Sequence, residues 1–142
     1  MTSTPDVNVL AAALDRIIPA VDDLIGAGEM GLGQEVIDRS RTDSRFWDAL
    51  STVTTALSSS GDFVELNGPD QDEVLRKIES SHATAFGLWI DVVYTIYYMQ
   101  PAVHKWLNWH GRPPQPEGNV MPPWDESILE VARKREPFWR KV

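Results

Sequence analysis

Apolar residues recur three or four positions apart near the start of the chain, which is the spacing of one helix face. This helix is expected to start near Thr4, with Pro5 at its first position, where a missing N–H costs nothing. Pro19 is expected to end the helix, because proline disfavours helical backbone in the residue before it. The apolar face consists of Val7, Leu10, Ala11, Leu14, Ile17 and Ile18.

The same spacing predicts three further helices at about 32–40, 43–58 and 69–79. A glycine-containing loop separates the first two helices of the chain. Gly61 is the expected stop of the helix at 43–58, since glycine commonly follows a helix end. Residues 62–66 are expected to form a loop that places Phe63 and Leu66 on the core.

Segment 84–99 is apolar on almost every side when drawn as a helix. Such a helix is expected to be enclosed all round, either by its own domain or by a partner. It is too short to span a bilayer, and the sequence has no run approaching about 18 apolar residues. The apolar residues are Phe86, Leu88, Trp89, Ile90, Val92, Val93, Tyr94, Ile96, Tyr97, Tyr98 and Met99.

The last part of the chain has a different pattern. A short aromatic turn after Pro101 leads into a proline-rich stretch that favours extended backbone. Asp125 is expected to cap a short amphipathic helix near the end. The sequence therefore predicts an all-α protein: a compact helical bundle over residues 1–110, then an extended Pro/Trp-rich C-terminal arm over 111–142 that carries a short terminal helix.

Composition narrows the possible functions. The chain has 142 residues, of which 42% are hydrophobic, which suits one soluble globular domain. Asp and Glu number 21 against 13 Lys and Arg, and the net charge of −8 disfavours nucleic acid as a partner. The N-terminal sequence has neither a basic, apolar signal pattern nor a twin-arginine pair, so a cytoplasmic location is expected.

Motifs for independent catalysis are missing from the sequence. Cysteine is absent, which excludes thiolate chemistry and disulfides. The three histidines, His82, His104 and His110, do not have the mutual spacing of metal ligands on one helix. Residues 26–31 match G-x-G-x-x-G, but no buried strand precedes them, so we interpret them as an ordinary loop between helices. No catalytic, cofactor-binding or metal-binding residue is predicted.

Aromatic residues near the C-terminus are the strongest unusual feature. Five of the six tryptophans and all three tyrosines lie in residues 81–142. Large aromatics with an arginine nearby are typical of the residues that dominate binding energy in protein interfaces. The expected partner-interface residues are Trp89, Tyr97, Tyr98, Trp106, Trp109, His110, Arg112, Pro113 and Trp124.

Several segments resemble the gluconate 2-dehydrogenase subunit 3 family. Residues 14–20 (Leu-Asp-Arg-Ile-Ile-Pro-Ala) and 26–31 (Gly-Ala-Gly-Glu-Met-Gly) carry the resemblance most specifically. Residues 97–103 and, more loosely, 109–113 continue it, so that it covers about residues 9–115. Many members of this family carry a twin-arginine leader, whereas this sequence shows none.

The resemblance implies a non-catalytic accessory subunit of a larger flavoprotein. That partner would be a glucose–methanol–choline (GMC) type dehydrogenase that holds FAD and oxidises sugars or glycosides, while the small subunit aids its folding, solubility or export. FAD is thus expected in the partner and no cofactor in this chain. Two alternatives stay open: a homo-oligomeric helical interaction module, and a small metal protein or enzyme built on the histidines and carboxylates.

Overall fold

The computed structural model describes residues 5–109 and 125–135, and within these ranges the regular structure is helical, which confirms the all-α prediction. Helices α1–α6 belong to one compact unit, and α7 belongs to a second that is described by itself. Most of the predicted arm over 111–142 lies outside the described residues. The helices are α1 (Val7–Ile17), α2 (Leu32–Ser40), α3 (Ser44–Ser59), α4 (Gly68–Ser81), α5 (Ala83–Tyr98), α6 (Pro101–Trp106) and α7 (Ser127–Arg133).

Side-chain caps and special backbone residues set the helix ends. The predicted start of α1 at Thr4 is wrong, because the Asp6 carboxylate accepts the N–H of Asn8 and so caps the helix two residues later. The predicted end before Pro19 is confirmed, since α1 ends at Ile17. Gly61 follows the end of α3 with φ +99°, a left-handed conformation that glycine adopts without strain. The predicted stop at this residue is therefore confirmed.

The core of the bundle lies where α5 packs on α3, with α1, α2 and α4 around them. Between α3 and α4 the chain makes a 3₁₀ turn (Phe63–Glu65) that buries Phe63 completely and leaves Leu66 half-buried against the core. Both residues thus lie as predicted. Fully buried residues include Leu10, Leu14, Val36, Ile37, Leu50, Val53, Leu57, Trp89 and Val93.

Helix α5 is covered by the bundle on all sides but one. Its buried residues recur every three or four positions, on the side of the helix that faces the core. Gly87, Asp91, Tyr94 and Tyr98 form an exposed stripe along the helix. The bundle by itself therefore does not enclose α5 all round, and enclosure of the remaining side by a partner stays a prediction. Hydrophobicity by itself does not tell which side of an apolar helix its own domain covers.

Helix α7 begins as the sequence predicts. The Asp125 carboxylate accepts the backbone N–H of Ser127 at 2.9 Å. Hydrogen bonding from Ser127, first from its side chain and then from this N–H, holds the pKa of Asp125 below its usual value. The cap satisfies one of the N–H groups that a helix start leaves without a partner.

Candidate functional site

Exposed apolar side chains concentrate where α5 ends and α6 follows. The helix break between Met99 and Pro101 turns the chain, and α6 then ends at Trp106 after six residues. We call the resulting surface the aromatic patch. It comprises Tyr94, Tyr98, Met99, Trp106, Leu107 and Trp109, with 43%, 54%, 68%, 43%, 49% and 48% of each residue exposed, respectively.

Ring contacts and one histidine connect three members of the patch, Tyr94, Tyr98 and Trp109. The Tyr98 ring lies 5.3 Å from that of Tyr97 in an edge-on arrangement and 6.2 Å from that of Tyr94. His104 on α6 hydrogen-bonds through Nε2 to the Tyr98 carbonyl oxygen. Its ring also packs edge-on against Trp109, with 4.2 Å between the centroids. His104 therefore acts as a structural link between the end of α5 and the indole of Trp109.

Two of the predicted interface residues are core residues instead. Trp89 is 1% exposed and packs edge-on against Phe86, and Tyr97 is 8% exposed. Burial, followed by the neighbouring Tyr98, raises the pKa of the Tyr97 hydroxyl. Both residues are buried in the bundle, so they stabilise its core instead of contacting a partner as predicted. Both lie on the side of α5 that faces the bundle, which residue type alone did not show.

The other predicted interface residues divide into two groups. Tyr98, Trp106 and Trp109 are exposed in the aromatic patch, and their role in binding stays a prediction. The structure adds Tyr94, Met99 and Leu107 to these exposed residues. Tyr94 could have been predicted from the sequence, because it lies four residues before Tyr98 and therefore on the same helix face. The remaining predicted residues, His110, Arg112, Pro113 and Trp124, lie outside the described residues.

The G-x-G-x-x-G segment is occupied by a side chain of the protein itself. The Asp15 carboxylate on α1 accepts the backbone N–H groups of Gly28 at 2.7 Å and Glu29 at 3.1 Å. Gly26 and Gly28 lie directly against α1, where a Cβ atom on Gly28 would overlap the Ala11 carbonyl group. A pyrophosphate would need these same N–H groups and would meet the Asp15 carboxylate. The loop therefore does not fit a dinucleotide.

A wide groove of about 830 Å³ lies between α3 and α4 and is lined largely by serine and threonine. Two of its hydroxyls, those of Thr52 and Ser59, donate to backbone carbonyls of their own helix. Its lysine, Lys77, is paired with Glu73 at 2.9 Å. These three polar groups therefore have partners within the fold.

Histidines and carboxylates do not converge in the part of the chain that the structure describes. His82 follows the end of α4 and His104 lies in α6. Among residues 5–109 and 125–135, no three His, Asp or Glu side chains are placed to hold a metal ion together. Within the same ranges, none of the helices has the length and hydrophobicity needed to cross a bilayer.

Comparison with known proteins identifies a family for most of the chain. The family model described as gluconate 2-dehydrogenase subunit 3 matches residues 5–112, about three quarters of the sequence and all of α1–α6. No curated protein and no solved structure matches the chain significantly.

Proposed function

The chain belongs to the gluconate 2-dehydrogenase subunit 3 family and is thus an accessory subunit of a dehydrogenase, and we propose that its partner is a large FAD-containing subunit of the GMC type. In this proposal the large subunit binds FAD and oxidises a sugar or glycoside. The small subunit is non-catalytic and stabilises the folded large subunit by covering part of its surface. The cytoplasm is the proposed location of this complex.

The aromatic patch is the observation that supports the proposal most directly. A bundle with a complete core of its own leaves Trp106 and Trp109 nearly half exposed. Covering apolar surface is worth about 25 cal/mol per Å², so several adjacent exposed large side chains favour association with another protein. Tryptophan and tyrosine are also the residues that most often dominate the binding energy of interfaces.

The chemistry of the bundle supports an accessory role. The glycine loop is fastened to α1 by Asp15, and Thr52 and Lys77 in the groove between α3 and α4 are engaged within the fold. The described residues thus offer a surface for binding rather than groups arranged for catalysis. FAD binding, substrate binding and oxidation are assigned to the large subunit.

Co-expression of the chain with a GMC-type flavoprotein encoded beside it tests this function. We expect a soluble yellow complex that contains both chains, and a large subunit that becomes insoluble or loses FAD when expressed alone. The small subunit expressed alone is expected to self-associate through its aromatic patch. A large subunit that is soluble, loaded with FAD and active without this chain, and that forms no complex with it, would contradict the proposal.

The two alternative functions give different results in the same preparation. A homo-oligomeric module would form a defined homodimer by light scattering and would form no complex with the flavoprotein. A metal protein would contain stoichiometric metal after purification.

A further inference from the structure

Asn67 and Gly68 lie where the chain enters α4, and together they form a chemically reactive dipeptide. Asn67 is the only one of the four asparagines in the sequence that precedes a glycine, whereas Asn8, Asn108 and Asn119 precede larger residues. In water, the backbone nitrogen that follows an asparagine can attack the carbonyl carbon of its side chain. Glycine leaves this approach unhindered because it has no Cβ. Asn67 is also exposed, so water reaches its side chain.

The fold gives each of these two residues a structural role. The Asn67 side chain caps α4: its Oδ1 accepts the Asp70 backbone N–H at 3.0 Å, and its Nδ2 donates to Asp70 Oδ2 at 2.7 Å. At Gly68 a Cβ atom would lie 3.0 Å from Nη1 of Arg16, whose guanidinium group is paired with Asp72. The cap thus favours asparagine at position 67, and the packing of α1 on α4 favours glycine at position 68.

The same cap keeps the reactive groups apart. Asn67 has ψ 162°, the extended backbone of a helix cap, and the five-membered ring of the reaction closes only after rotation about this bond. The two hydrogen bonds to Asp70 hold the carboxamide in the cap. Gly68 is the first residue of α4, so the helix's own hydrogen bonds do not use its N–H. Release of the Asn67 side chain from Asp70 therefore brings a free backbone nitrogen within reach of the carboxamide.

We propose that Asn67 is a site of spontaneous deamidation, and that the cap of α4 controls the rate of this reaction. Hydroxide removes the amide proton of Gly68, and the nitrogen forms a bond to Cγ of Asn67. The C–N bond of the carboxamide then breaks, and its nitrogen takes up a proton from water and leaves as ammonia. Water hydrolyses the cyclic imide at one of its two carbonyl groups, which gives aspartate or isoaspartate. Overall, one water molecule is consumed and one ammonia is released, with no change in oxidation state.

Both products weaken the start of α4. An aspartate at position 67 has no N–H to donate to Asp70, and the two carboxylates repel each other. An isoaspartate routes the backbone through the former side chain, which lengthens it by one carbon atom and displaces the cap from the Asp70 N–H. The modified chain therefore loses the contacts that fix the first turn of α4.

Incubation of the purified full chain at mildly alkaline pH, followed by peptide mapping, tests the proposal. We expect ammonia loss and isoaspartate at Asn67 to accumulate at least about tenfold faster than at Asn8 and Asn108, because glycine does not hinder ring closure. Gly68→Ala is expected to slow the reaction at Asn67 to the rate at those two residues. Equal rates at all three asparagines, in the wild type and in Asp70→Ala, would overturn the proposed site.

Two aspartate variants separate the role of the cap from that of the dipeptide. Asp70→Ala removes the carboxylate that holds Asn67 and is expected to raise the rate about fivefold, the effect of losing one hydrogen bond. Asp62→Ala removes an exposed carboxylate at the start of the 3₁₀ turn, leaves the cap intact and should react like wild type. Equal rates in Asp70→Ala and wild type would overturn the control of the reaction by the cap.

Thermal unfolding measures the consequence of the modification. The deamidated chain, separated by ion exchange, is expected to have a Tm about 4 °C lower than the unmodified chain, the equivalent of losing one helix cap. An unchanged Tm would overturn the predicted weakening of α4. These measurements use the small subunit alone, so their outcome does not depend on the proposed function.

Discussion

The Asp15 carboxylate on α1 accepts the backbone N–H of Gly28 at 2.7 Å, thirteen residues further along the chain, and fastens the glycine loop to the first helix. Gly28 and Ala27 are both buried by this arrangement. The contact gives a structural reason for the segments at 14–20 and 26–31, which carry the family resemblance. The loop can pack against α1 only when α1 supplies a hydrogen-bond acceptor and the loop residues that touch it are small.

Gly28→Ala should destabilise the bundle strongly. The added Cβ would overlap the Ala11 carbonyl group, and relief requires a backbone shift of the loop or of α1. We expect a loss of about 2–3 kcal/mol in the free energy of unfolding, or about 10 °C in Tm. Thermal unfolding followed by circular dichroism measures this loss. Gly87→Ala is the matched control, because it adds the same Cβ atom in open space and should raise the stability rather than lower it. A Gly28→Ala variant as stable as wild type would refute the close packing of the loop on α1.

Asp15→Ala should also destabilise the bundle, because it leaves the N–H groups of Gly28 and Glu29 without their acceptor. We expect a loss of about 1–3 kcal/mol in urea unfolding, the usual cost when a partly buried donor loses its partner. Asp15→Asn keeps one side-chain oxygen as an acceptor and should retain a substantial part of the stability. No loss in the alanine variant would contradict the anchoring role of Asp15.

The ion pair between Arg16 and Asp72 should make stability depend on pH. Hydrogen bonding from Arg16, supported by nearby positive charge, lowers the pKa of Asp72 in the folded state. A lowered carboxyl pKa contributes stability above the ordinary carboxyl pKa of about 4, and this contribution is lost as the pH falls through the folded-state value. Asp72→Asn should therefore lower Tm at pH 7, with a gap to wild type that closes under acidic conditions.

Glu79→Gln is the matched control for Asp72→Asn. It removes a carboxylate from the same helix, and Glu79 makes no ion pair in the described part of the chain. The contradicting result is a Tm difference between Asp72→Asn and wild type that stays constant from pH 7 to pH 2.5, which is about 1.5 units below the ordinary carboxyl pKa. It would show that the ion pair does not stabilise the fold.

Trp89→Ala and Trp109→Ala should have very different effects on the isolated bundle. Trp89 is buried against Phe86, so its removal should cost about 3–5 kcal/mol of stability. Trp109 is about half exposed and packs on His104, so its removal should cost less than about 1 kcal/mol. Urea unfolding of each variant measures the two losses, and comparable losses would contradict the assignment of Trp89 to the core and Trp109 to the surface.

The sequence predicted the helices well, because their apolar spacing is regular and Pro19 and Gly61 interrupt it at the right places. It misplaced the start of α1, because Thr4 and Asp6 are both suitable caps and the choice between them depends on local geometry. It did not predict the pairing of Arg16 with Asp72, since 56 residues separate them and only the packing of α1 on α4 brings them together.

The candidate site was harder to predict than the fold. Trp89 and Trp106 are the same residue type in the same aromatic region, yet one is buried and the other is exposed. Helix α5 is so apolar that its hydrophobic pattern does not single out the side that faces the core. The exposed side became evident only from the packing of α5 on α3.

The affinity of the small subunit for the large flavoprotein subunit, measured with and without the two exposed indoles, tests the docking role of the aromatic patch most directly. We predict that the combined substitutions Trp106→Ala and Trp109→Ala leave the bundle folded and raise Kd by at least about 100-fold. The control combines Val21→Ala and Ile25→Ala, which remove similarly exposed apolar side chains from the loop after α1, and it should bind like wild type. Equal affinity of the double tryptophan variant and wild type would contradict the proposed interface.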